Sequence, residues 1–325
     1  MADEQDWAIA EDNQPRPENL DYDLTVAMAS LFTLRSEIPE DAFTAHALGT
    51  ERAGTAVLVN SKGLLLTIGY LVAEAERLWI IGQDGAAVEG HPIAYDFTTG
   101  FGLVQALGKL PYPPLPLGNS SAIHVGDRVV FASAGGVEHA LAAQVVSKRE
   151  FAGYWEYVLD EAMFTTPAHP FWGGGAMLNA KGELVGIGSL YVGDARGHGM
   201  PSEGNMIVPI DLAKPLLEEI EGEGRVSIQS RPWLGFYTAE AENHLIIAGI
   251  APNGPAEKAG VETGDVVLEV AGSPVGDLAD MFRTIWSLGD AGVTVPLTLV
   301  RDGARVTVKV PSADRNDFLK SPRLH

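Results

Sequence analysis

Short apolar runs recur along this sequence at intervals of about 8–12 residues, separated by glycine, proline or aspartate, which is typical of strands in an all-β barrel or sandwich. The clearest case is a hairpin, in which Gly54–Val59 and Leu64–Thr67 flank a turn at Asn60–Gly63. Further strands are expected at residues 30–34, 78–81, 88–94, 102–107, 128–132, 140–147, 157–164, 184–189 and 205–208. The spacing therefore predicts a mainly β fold.

A helix and a polar linker divide the sequence into two folded units. Residues 211–220 begin with an N-cap aspartate and have helical spacing, so a helix is expected to close the first unit. The proline-rich stretch 109–116 cannot be a central strand, because proline lacks the N–H donor, and it is expected to cross from one β region to the next. The predicted order is an acidic flexible tail at 1–24, a β unit at 25–220, a linker at 221–231, a mixed unit at 232–311 and a C-terminal tail at 312–325.

Composition excludes several classes of function. The 325 residues suffice for two or three domains, and 22 basic against 43 acidic residues give a net charge of −21, which argues against nucleic-acid binding. No apolar run approaches the roughly 20 residues that span a bilayer, and the absence of cysteine excludes a thiolate nucleophile or metal site. The N-terminal residues lack the pattern of a signal peptide, so the expected location is cytoplasmic as the sequence stands, or periplasmic if a leader has been removed.

Three consecutive glycines, Gly173–Gly175, follow the aromatic pair Phe171 and Trp172. Glycine tolerates positive φ and lets another backbone approach closely, so this run predicts a tight loop shaped for contact. An ordinary corner between strands would give the same pattern, because glycine clusters usually mark turns.

Short motifs follow one another in a characteristic order: Leu117–Ser120, Val125–Asp127, Val208–Asp211, Trp233–Phe236, Pro255–Gly260, Gly264–Val267 and Val300–Gly303. In this order they resemble the HtrA/Deg-type serine proteases over roughly residues 25–311. The resemblance implies a trypsin-like double six-stranded β-barrel, with a first barrel at about 25–108 and a second at about 115–210, followed by a PDZ domain, a β-sandwich with two helices, at 232–311. It also implies a homo-oligomer, a trimer, with Leu31, Phe32 or Phe43 as contributing residues.

The positions that carry catalysis in this family hold other residues here. By the resemblance, Tyr70 stands at the position of the histidine, Gly100 at that of the aspartate and Gly173 at that of the nucleophilic serine. Phe171 replaces the glycine of the oxyanion loop, and Trp172 adds apolar bulk beside it. A phenol with an ordinary pKa of about 10 is a poor general base, and glycine can neither attack nor orient a partner. The chain is therefore identified as a pseudoprotease.

Two other functions stay open at this point. One is an active serine endopeptidase with a rearranged site, built from a histidine and a serine elsewhere in the β unit: His91, His124, His139, His169, His198, Ser120, Ser121, Ser133, Ser147 and Ser189. None of these residues has the spacing of a nucleophile elbow, and no histidine pair has metal-ligand spacing, so neither a metal nor another cofactor is predicted. The other is a structural subunit of a larger protein assembly.

The second unit is expected to bind peptides. The resemblance makes Trp233, Leu234, Gly235 and Phe236 the carboxylate-binding loop, whose backbone amides capture a protein or peptide C-terminus while the next strand accepts the peptide as an added strand. Met281 and Ile285, one helical turn apart, are the candidates for the opposite wall, although both also fit an ordinary core position. A scaffold, adaptor or chaperone that recognises apolar C-termini follows from this interpretation.

Overall fold

The computed structural model describes residues 8–197, 199–223, 230–241 and 244–321. These residues fall into two compact units, of which the second comprises residues 150–160 together with the described part of 227–319, and the first comprises most of the remainder. The predicted mainly β fold is confirmed, with two closed six-stranded barrels in the first unit and a PDZ-type sheet in the second. None of the helices in the described ranges is both long and apolar enough to cross a membrane.

The first barrel closes in the order β1-β2-β3-β6-β5-β4. Its strands are β1 Leu31–Glu37, β2 Glu51–Leu58, β3 Leu64–Ile68, β4 Arg77–Ile81, β5 Ala87–Tyr95 and β6 Phe101–Ala106, and two short helices, α1 Leu24–Met28 and α2 Ala45–Leu48, precede β1 and β2. Strand β1 closes the barrel by pairing antiparallel with both β2 and β4, so that Leu34 lies between Gly54 and Ile80. All five residues of β3 are buried, because this strand lies inside the unit on both of its faces.

The second barrel closes in the order β10-β11-β12-β9-β8-β7. Its strands are β7 Arg128–Ala132, β8 Ala140–Gly153, β9 Tyr157–Thr166, β10 Ala176–Leu178, β11 Leu184–Val192 and β12 Gly204–Pro209. Apolar side chains that alternate along these strands fill the barrel, among them Phe131, Met163 and Ile207. A 3₁₀ turn at Ile210–Leu212 and helix α3, Lys214–Glu223, follow β12, so the closing helix begins and ends about three residues later than predicted.

The PDZ sheet has the strand order β13-β14-β15-β17-β18, with β16 paired to β15 alone. Its elements are β13 Phe236–Ala241, β14 His244–Ile250, α4 Pro255–Ala259, β15 Val266–Val270, β16 Ser273–Pro274, α5 Leu278–Trp286, β17 Thr294–Arg301 and β18 Ala304–Pro311. Helix α5 begins where the Asp277 side chain accepts a hydrogen bond from the Asp280 amide at 2.7 Å, so Asp277 is its N-cap. Strand β13 lies at one edge of the sheet.

Both predicted tails contain packed residues where the structure describes them, and the N-terminal one differs in this from the flexible segment that was predicted. Ile9 is buried in the core of the second barrel, and its amide donates to the carbonyl of Glu138 at 2.8 Å. At the other end, Ala313 exchanges backbone hydrogen bonds with Trp233, and the Phe318 ring lies 4.7 Å from the Trp233 ring. Apolar residues within polar stretches account for the packing in both tails, because each buries its side chain on a neighbouring core. Most of the predicted linker, residues 224–229, and residues 1–7 and 322–325 of the tails lie outside the described residues.

A buried arginine holds the turn that follows β3. The Arg52 side chain is 7% exposed, and it donates to the carbonyls of Tyr70 at 2.7 Å and Ala73 at 3.1 Å. It also donates to the Thr44 hydroxyl at 2.8 Å, and that hydroxyl donates to the Glu74 carboxylate at 2.6 Å. The guanidinium therefore fixes the position of residue 70, because two of the carbonyls in that turn bind to it.

Replacing Arg52 tests this network. We expect Arg52→Met to lower the free energy of unfolding by about 2–4 kcal/mol, because buried carbonyls lose their donors. Urea denaturation at neutral pH measures the effect. Arg77→Met is the matched control, since Arg77 is exposed and pairs with Glu37 at 3.7 Å, and it is expected to change stability by less than about 0.5 kcal/mol. Equal effects from both substitutions would contradict the assigned role of Arg52.

Candidate functional site

An open cleft in the first unit contains two of the three altered catalytic positions. It has a volume of about 590 Å³, and Tyr70 and Gly173 both line it. Phe171 and Trp172 line the same cleft, whereas Gly100 lies behind it, where its carbonyl accepts a hydrogen bond from the Gly69 amide at 2.8 Å. The structure thus brings Tyr70, Phe171, Trp172 and Gly173 together in one cleft, and it leaves Gly100 out of the lining.

The phenol of Tyr70 lies directly beside residue 173. A Cβ atom added to Gly173 would lie 3.0 Å from the Tyr70 hydroxyl oxygen, which is the proximity expected of a base and a nucleophile. The hydroxyl donates to the Ser189 carbonyl at 2.8 Å, and the Trp172 side chain also hydrogen-bonds to it. Burial raises the pKa of Tyr70 above its ordinary value. The phenol therefore stays protonated at neutral pH and cannot accept a proton from a nucleophile.

Gly100 lies in a backbone conformation that glycine adopts most readily. Its φ is +85°, in the left-handed region that most residues with a side chain avoid. Asp96, the acidic residue that precedes Gly100, uses its carboxylate to stabilise the same turn. This carboxylate accepts a hydrogen bond from the Thr98 amide at 2.9 Å and one from the Thr99 hydroxyl at 2.6 Å. Neither residue offers a carboxylate that is free to orient a catalytic group at Tyr70.

A buried histidine engages the amide that an oxyanion hole would need. His169 is fully buried, and its Nδ1 accepts a hydrogen bond from the Phe171 amide at 3.0 Å. Its Nε2 lies 3.0 Å from the His139 carbonyl, so the neutral ring carries its proton on Nε2 and donates it there. Burial lowers the pKa of His169 to about 4, which keeps the ring neutral at physiological pH. The Phe171 amide is thus held by the protein and is not available to a developing oxyanion.

The role of His169 was not foreseen from the sequence, where this residue was one of several histidines without a motif. Its only sequence signal is its place two residues before Phe171, and spacing of that kind indicates no particular chemistry. The bond to the Phe171 amide arises from the loop conformation, which the structure alone reveals.

The glycine run is required by close backbone contact. Gly174 has a φ of +77°, and a Cβ atom there would lie 1.8 Å from the Thr55 carbonyl oxygen. The Gly173 carbonyl accepts from the Thr55 amide at 2.8 Å, and the Gly174 amide donates to the Gly188 carbonyl at 2.9 Å. The loop therefore lies against β2 of the first barrel and β11 of the second, and glycine is needed for this approach whatever the chemistry of the site.

Ser133 and His139 are the serine and histidine that line the cleft. The Ser133 hydroxyl donates weakly to the Ala134 carbonyl at 3.5 Å, and the buried Nδ1 of His139 lacks a hydrogen-bond partner. In the described part of the chain, no hydrogen bond joins this hydroxyl to this ring. Among the other candidates, the Ser120 hydroxyl accepts from the Asp211 amide at 3.1 Å, and His124 is exposed beside Asp127. His198 lies outside the described residues.

The PDZ unit carries the predicted peptide-binding loop. Gly235 has a φ of +75°, and the amides of Leu234 and Gly235 point at one carboxylate, that of Glu156, with donor–acceptor distances of 3.2 Å and 3.0 Å. Met281 and Ile285 on α5 are fully buried in the same apolar cluster as Leu234 and Phe236, so they are core residues of this unit. The loop therefore has the geometry of a carboxylate site.

Comparison with known proteins agrees with this architecture. A family model described as trypsin-like peptidase domain matches residues 54–187, and one described as PDZ domain matches residues 232–311. A relative in Ectopseudomonas mendocina, named probable periplasmic serine endoprotease DegP-like, is 27% identical over 271 residues, which cover 79% of this chain and 55% of the relative. The chain is homologous to the DegP/HtrA serine proteases. It spans about half the length of the DegP-like relatives that it matches.

A second relative of this HtrA homologue, the putative serine protease HhoA of Synechocystis, is 25% identical over 287 residues, covering 80% of this chain and 70% of the relative. Solved structures share the fold. The HtrA-type protease AlgW with decapeptide superimposes with a TM-score of 0.53 at 19% identity, covering 92% of this chain and 98% of that one. The serine endoprotease from Yersinia pestis superimposes with a TM-score of 0.52 at 20% identity, covering 89% and 95%.

Adding one methyl group to each of two neighbouring glycines tests the contact between loop and barrel. We expect Gly174→Ala to lower the free energy of unfolding by about 3 kcal/mol or more, because its Cβ would overlap the Thr55 carbonyl and its φ is positive. Gly173→Ala, the matched control, should cost about 1 kcal/mol or less, since its Cβ makes one tight contact, with the Tyr70 hydroxyl at 3.0 Å, and otherwise meets the Leu71 methyl groups at ordinary distances of 3.8 and 3.9 Å. Urea denaturation provides the measurement, and equal costs would contradict the assigned packing.

The buried His169 predicts a pH dependence of stability. Its pKa of about 4 in the folded chain lies below its ordinary value of 6.5, so the unfolded chain binds more protons between these values. The stabilisation is complete above pH 6.5 and is lost as the pH falls towards 4, by about 2–4 kcal/mol in all. We expect the His169→Asn variant to lose this contribution to the slope in urea denaturation between pH 4 and 7. The control variant His124→Asn, at an exposed histidine, should keep the wild-type dependence of unfolding free energy on pH. If this dependence has the same slope in wild type and in His169→Asn, the role assigned to His169 is wrong.

Proposed function

We propose that this HtrA homologue is a pseudoprotease that serves as a peptide- or protein-binding scaffold, adaptor or chaperone, through its PDZ domain and its degenerate cleft. The observation that carries the proposal is the set of bonds around Tyr70 and Phe171. The phenol donates to the Ser189 carbonyl at 2.8 Å, and the Phe171 amide donates to His169 at 3.0 Å. Groups that would otherwise face a substrate are engaged by the protein itself.

Hydrolysis by the family's mechanism needs a hydroxyl nucleophile, a neutral base beside it and donors for the oxyanion. Residue 173 has no side chain, and the protonated phenol of Tyr70 stands in the position of the base. Loss of triad members leaves at most the residual catalysis that binding and oxyanion donors supply. Because the Phe171 amide is engaged by His169 as well, one oxyanion donor is lost and the residual catalytic rate is lowered further.

The cleft keeps a capacity to bind. It remains open, at about 590 Å³, and Leu71, Phe171 and Trp172 give it apolar walls, with Arg35 also lining it. A concave surface in which aromatic walls stand beside polar side chains suits an extended peptide with apolar side chains. The PDZ domain adds the second recognition site, a peptide-binding module whose loop here has the geometry of a carboxylate site.

An active serine endopeptidase with a rearranged site is the second candidate, and one observation favours it. Ser133 and His139 line the same cleft, and the Nδ1 of His139 has no hydrogen-bond partner among the described residues. This mechanism would require the Ser133 hydroxyl to hydrogen-bond to that ring. The role of structural subunit and the predicted trimer stay predictions. Of the two locations predicted from the sequence, the names of the relatives favour the periplasm.

Covalent labelling distinguishes the pseudoprotease from the rearranged protease. We expect a fluorophosphonate probe to leave the wild-type chain unmodified in intact-mass spectrometry, and casein to stay uncleaved, because no base activates a serine in the cleft. The matched variant is Ser133→Ala. Stoichiometric labelling of the wild type that Ser133→Ala abolishes would overturn the proposal in favour of the rearranged site.

A further inference from the structure

The tip of the hairpin formed by β8 and β9 belongs to the same compact unit as the PDZ domain. Residues 150–160 form this tip, and they are grouped with the PDZ residues up to Leu319. The tip thus comes from the sequence of the second barrel but contributes to the PDZ unit. Its contacts there define what occupies the peptide-binding loop.

Glu156 lies at the centre of these contacts. Its carboxylate accepts from the Gly235 amide at 3.0 Å and from the Leu234 amide at 3.2 Å, and the Phe236 amide also hydrogen-bonds to it. The residue is 7% exposed and has a φ of +63°, a conformation that is uncommon for a residue with a side chain. Three successive amides that converge on one carboxylate are the arrangement with which such a loop holds a peptide C-terminus.

The rest of the tip follows the groove on both sides of Glu156. The Tyr154 carbonyl accepts from the Thr238 amide of β13 at 3.4 Å, a long backbone bond on the edge strand where a peptide would add. Two residues beyond the carboxylate, Val158 is buried in the PDZ core cluster that contains Met281 and Ile285. A carboxylate, an apolar side chain and a strand-edge contact are the three features by which such a groove recognises its ligand.

Two arginines fasten the tip. Arg283 on α5 pairs with Glu150 and with Asp160, at 2.5 Å in each case, and so joins the two strands of the hairpin at the point where they leave the PDZ unit. Arg315 donates to the Trp155 carbonyl at 3.1 Å. These bonds lie outside the peptide-binding loop itself. The pairs of Arg283 hold the tip in place without involving Glu156, whereas the charge of Arg315 also acts on the Glu156 carboxylate.

We infer that the hairpin tip is an intramolecular ligand of the PDZ domain, in which the Glu156 carboxylate takes the place of a peptide C-terminus, and that an outside peptide binds only by displacing it. The inference rests on the proposed peptide-binding function and adds its regulation. A tethered competitor lowers the apparent affinity for an outside ligand by the fraction of molecules in which the groove is free. At 99% occupancy by the tip, for example, binding would be weakened about a hundredfold.

Burial of the Glu156 carboxylate costs desolvation energy, and this cost makes it easier for a peptide carboxylate to replace it. Burial raises the pKa of Glu156 to about 7, against the opposite effects of Arg315 and of the amides of the loop. Part of the hydrogen-bond energy therefore offsets the desolvation of the charge. A C-terminal peptide that offers a carboxylate and pairs along the full length of β13 can thus compete with the tip.

Peptide binding to the full chain tests the inference. The probe is a fluorescein-labelled decapeptide pool, randomised except for a C-terminal valine with a free carboxylate, and the same pool with an amidated C-terminus is the control. Valine is chosen because Val158 is the tip residue that is buried in the PDZ core cluster. By fluorescence anisotropy we expect Glu156→Ala to bind the free-acid pool about tenfold more tightly than wild type or better, and Arg283→Ala to shift binding in the same direction. Glu161→Ala, which removes an exposed carboxylate from the same hairpin, should match wild type.

Hydrogen exchange at the amides of residues 234–236 gives an independent readout and shows that each variant is folded. We expect these amides to exchange about tenfold faster in Glu156→Ala, with exchange in β17 and β18 unchanged. Equal peptide affinity of wild type and Glu156→Ala, or unchanged exchange in the loop, would overturn the inference and leave the proposed function intact. Absence of peptide binding in every variant, including one whose loop amides have become exchangeable, would overturn the proposed peptide-binding function and the competition with it.

Discussion

The contact of Gly174 with the carbonyl of Thr55 is the constraint on which the first unit depends. A Cβ atom at Gly174 would lie 1.8 Å from that oxygen, so the loop passes β2 at a distance that only glycine allows. The neighbouring bond from the Thr55 amide to the Gly173 carbonyl fastens the same junction. Glycines that look like the remnant of a catalytic motif therefore have a separate reason to be there, namely the packing of one barrel on the other. This is why the framework of the motif persists here beside a cleft without its nucleophile.

The altered cleft is held by hydrogen bonds of its own. Tyr70 donates to Ser189, and His169 accepts from Phe171, so the buried phenol and the buried His169 ring each have a partner. Arg52 fixes the turn that carries Tyr70 from the side of the first barrel. Strained conformations cluster at active sites, whereas these bonds stabilise the fold. The polar groups of the cleft thus contribute to its rigidity, which suits a surface that binds without reacting.

Periodicity sufficed to predict a mainly β fold, because alternating apolar positions and turn glycines are local signals. The two barrels, the PDZ domain and the altered positions were predicted from the family resemblance that the order of motifs carries. Neither periodicity nor motif order revealed Ile9 in the barrel core, since a single apolar residue within an acidic segment has no period. The same holds for His169, whose role depends on the direction of one amide. The contact of Glu156 with the peptide-binding loop could not be predicted for another reason. It lies 78 residues before Leu234, and no local pattern indicates that its carboxylate meets that amide.

Strand β13 lies at the edge of the PDZ sheet, and the Tyr154 carbonyl binds one of its amides. Unpaired edge strands are templates on which other chains polymerise, and proteins commonly cover them with charged or bulky segments. The hairpin tip, with its tyrosine and its buried carboxylate, provides such a cover from within the chain. Its release would bare this edge to a second molecule until a peptide pairs with β13 and covers it again. A PDZ domain with a free groove would therefore be more prone to self-association at high protein concentration than one whose groove is covered. The net charge of −21 opposes such self-association, because it makes the molecules repel one another.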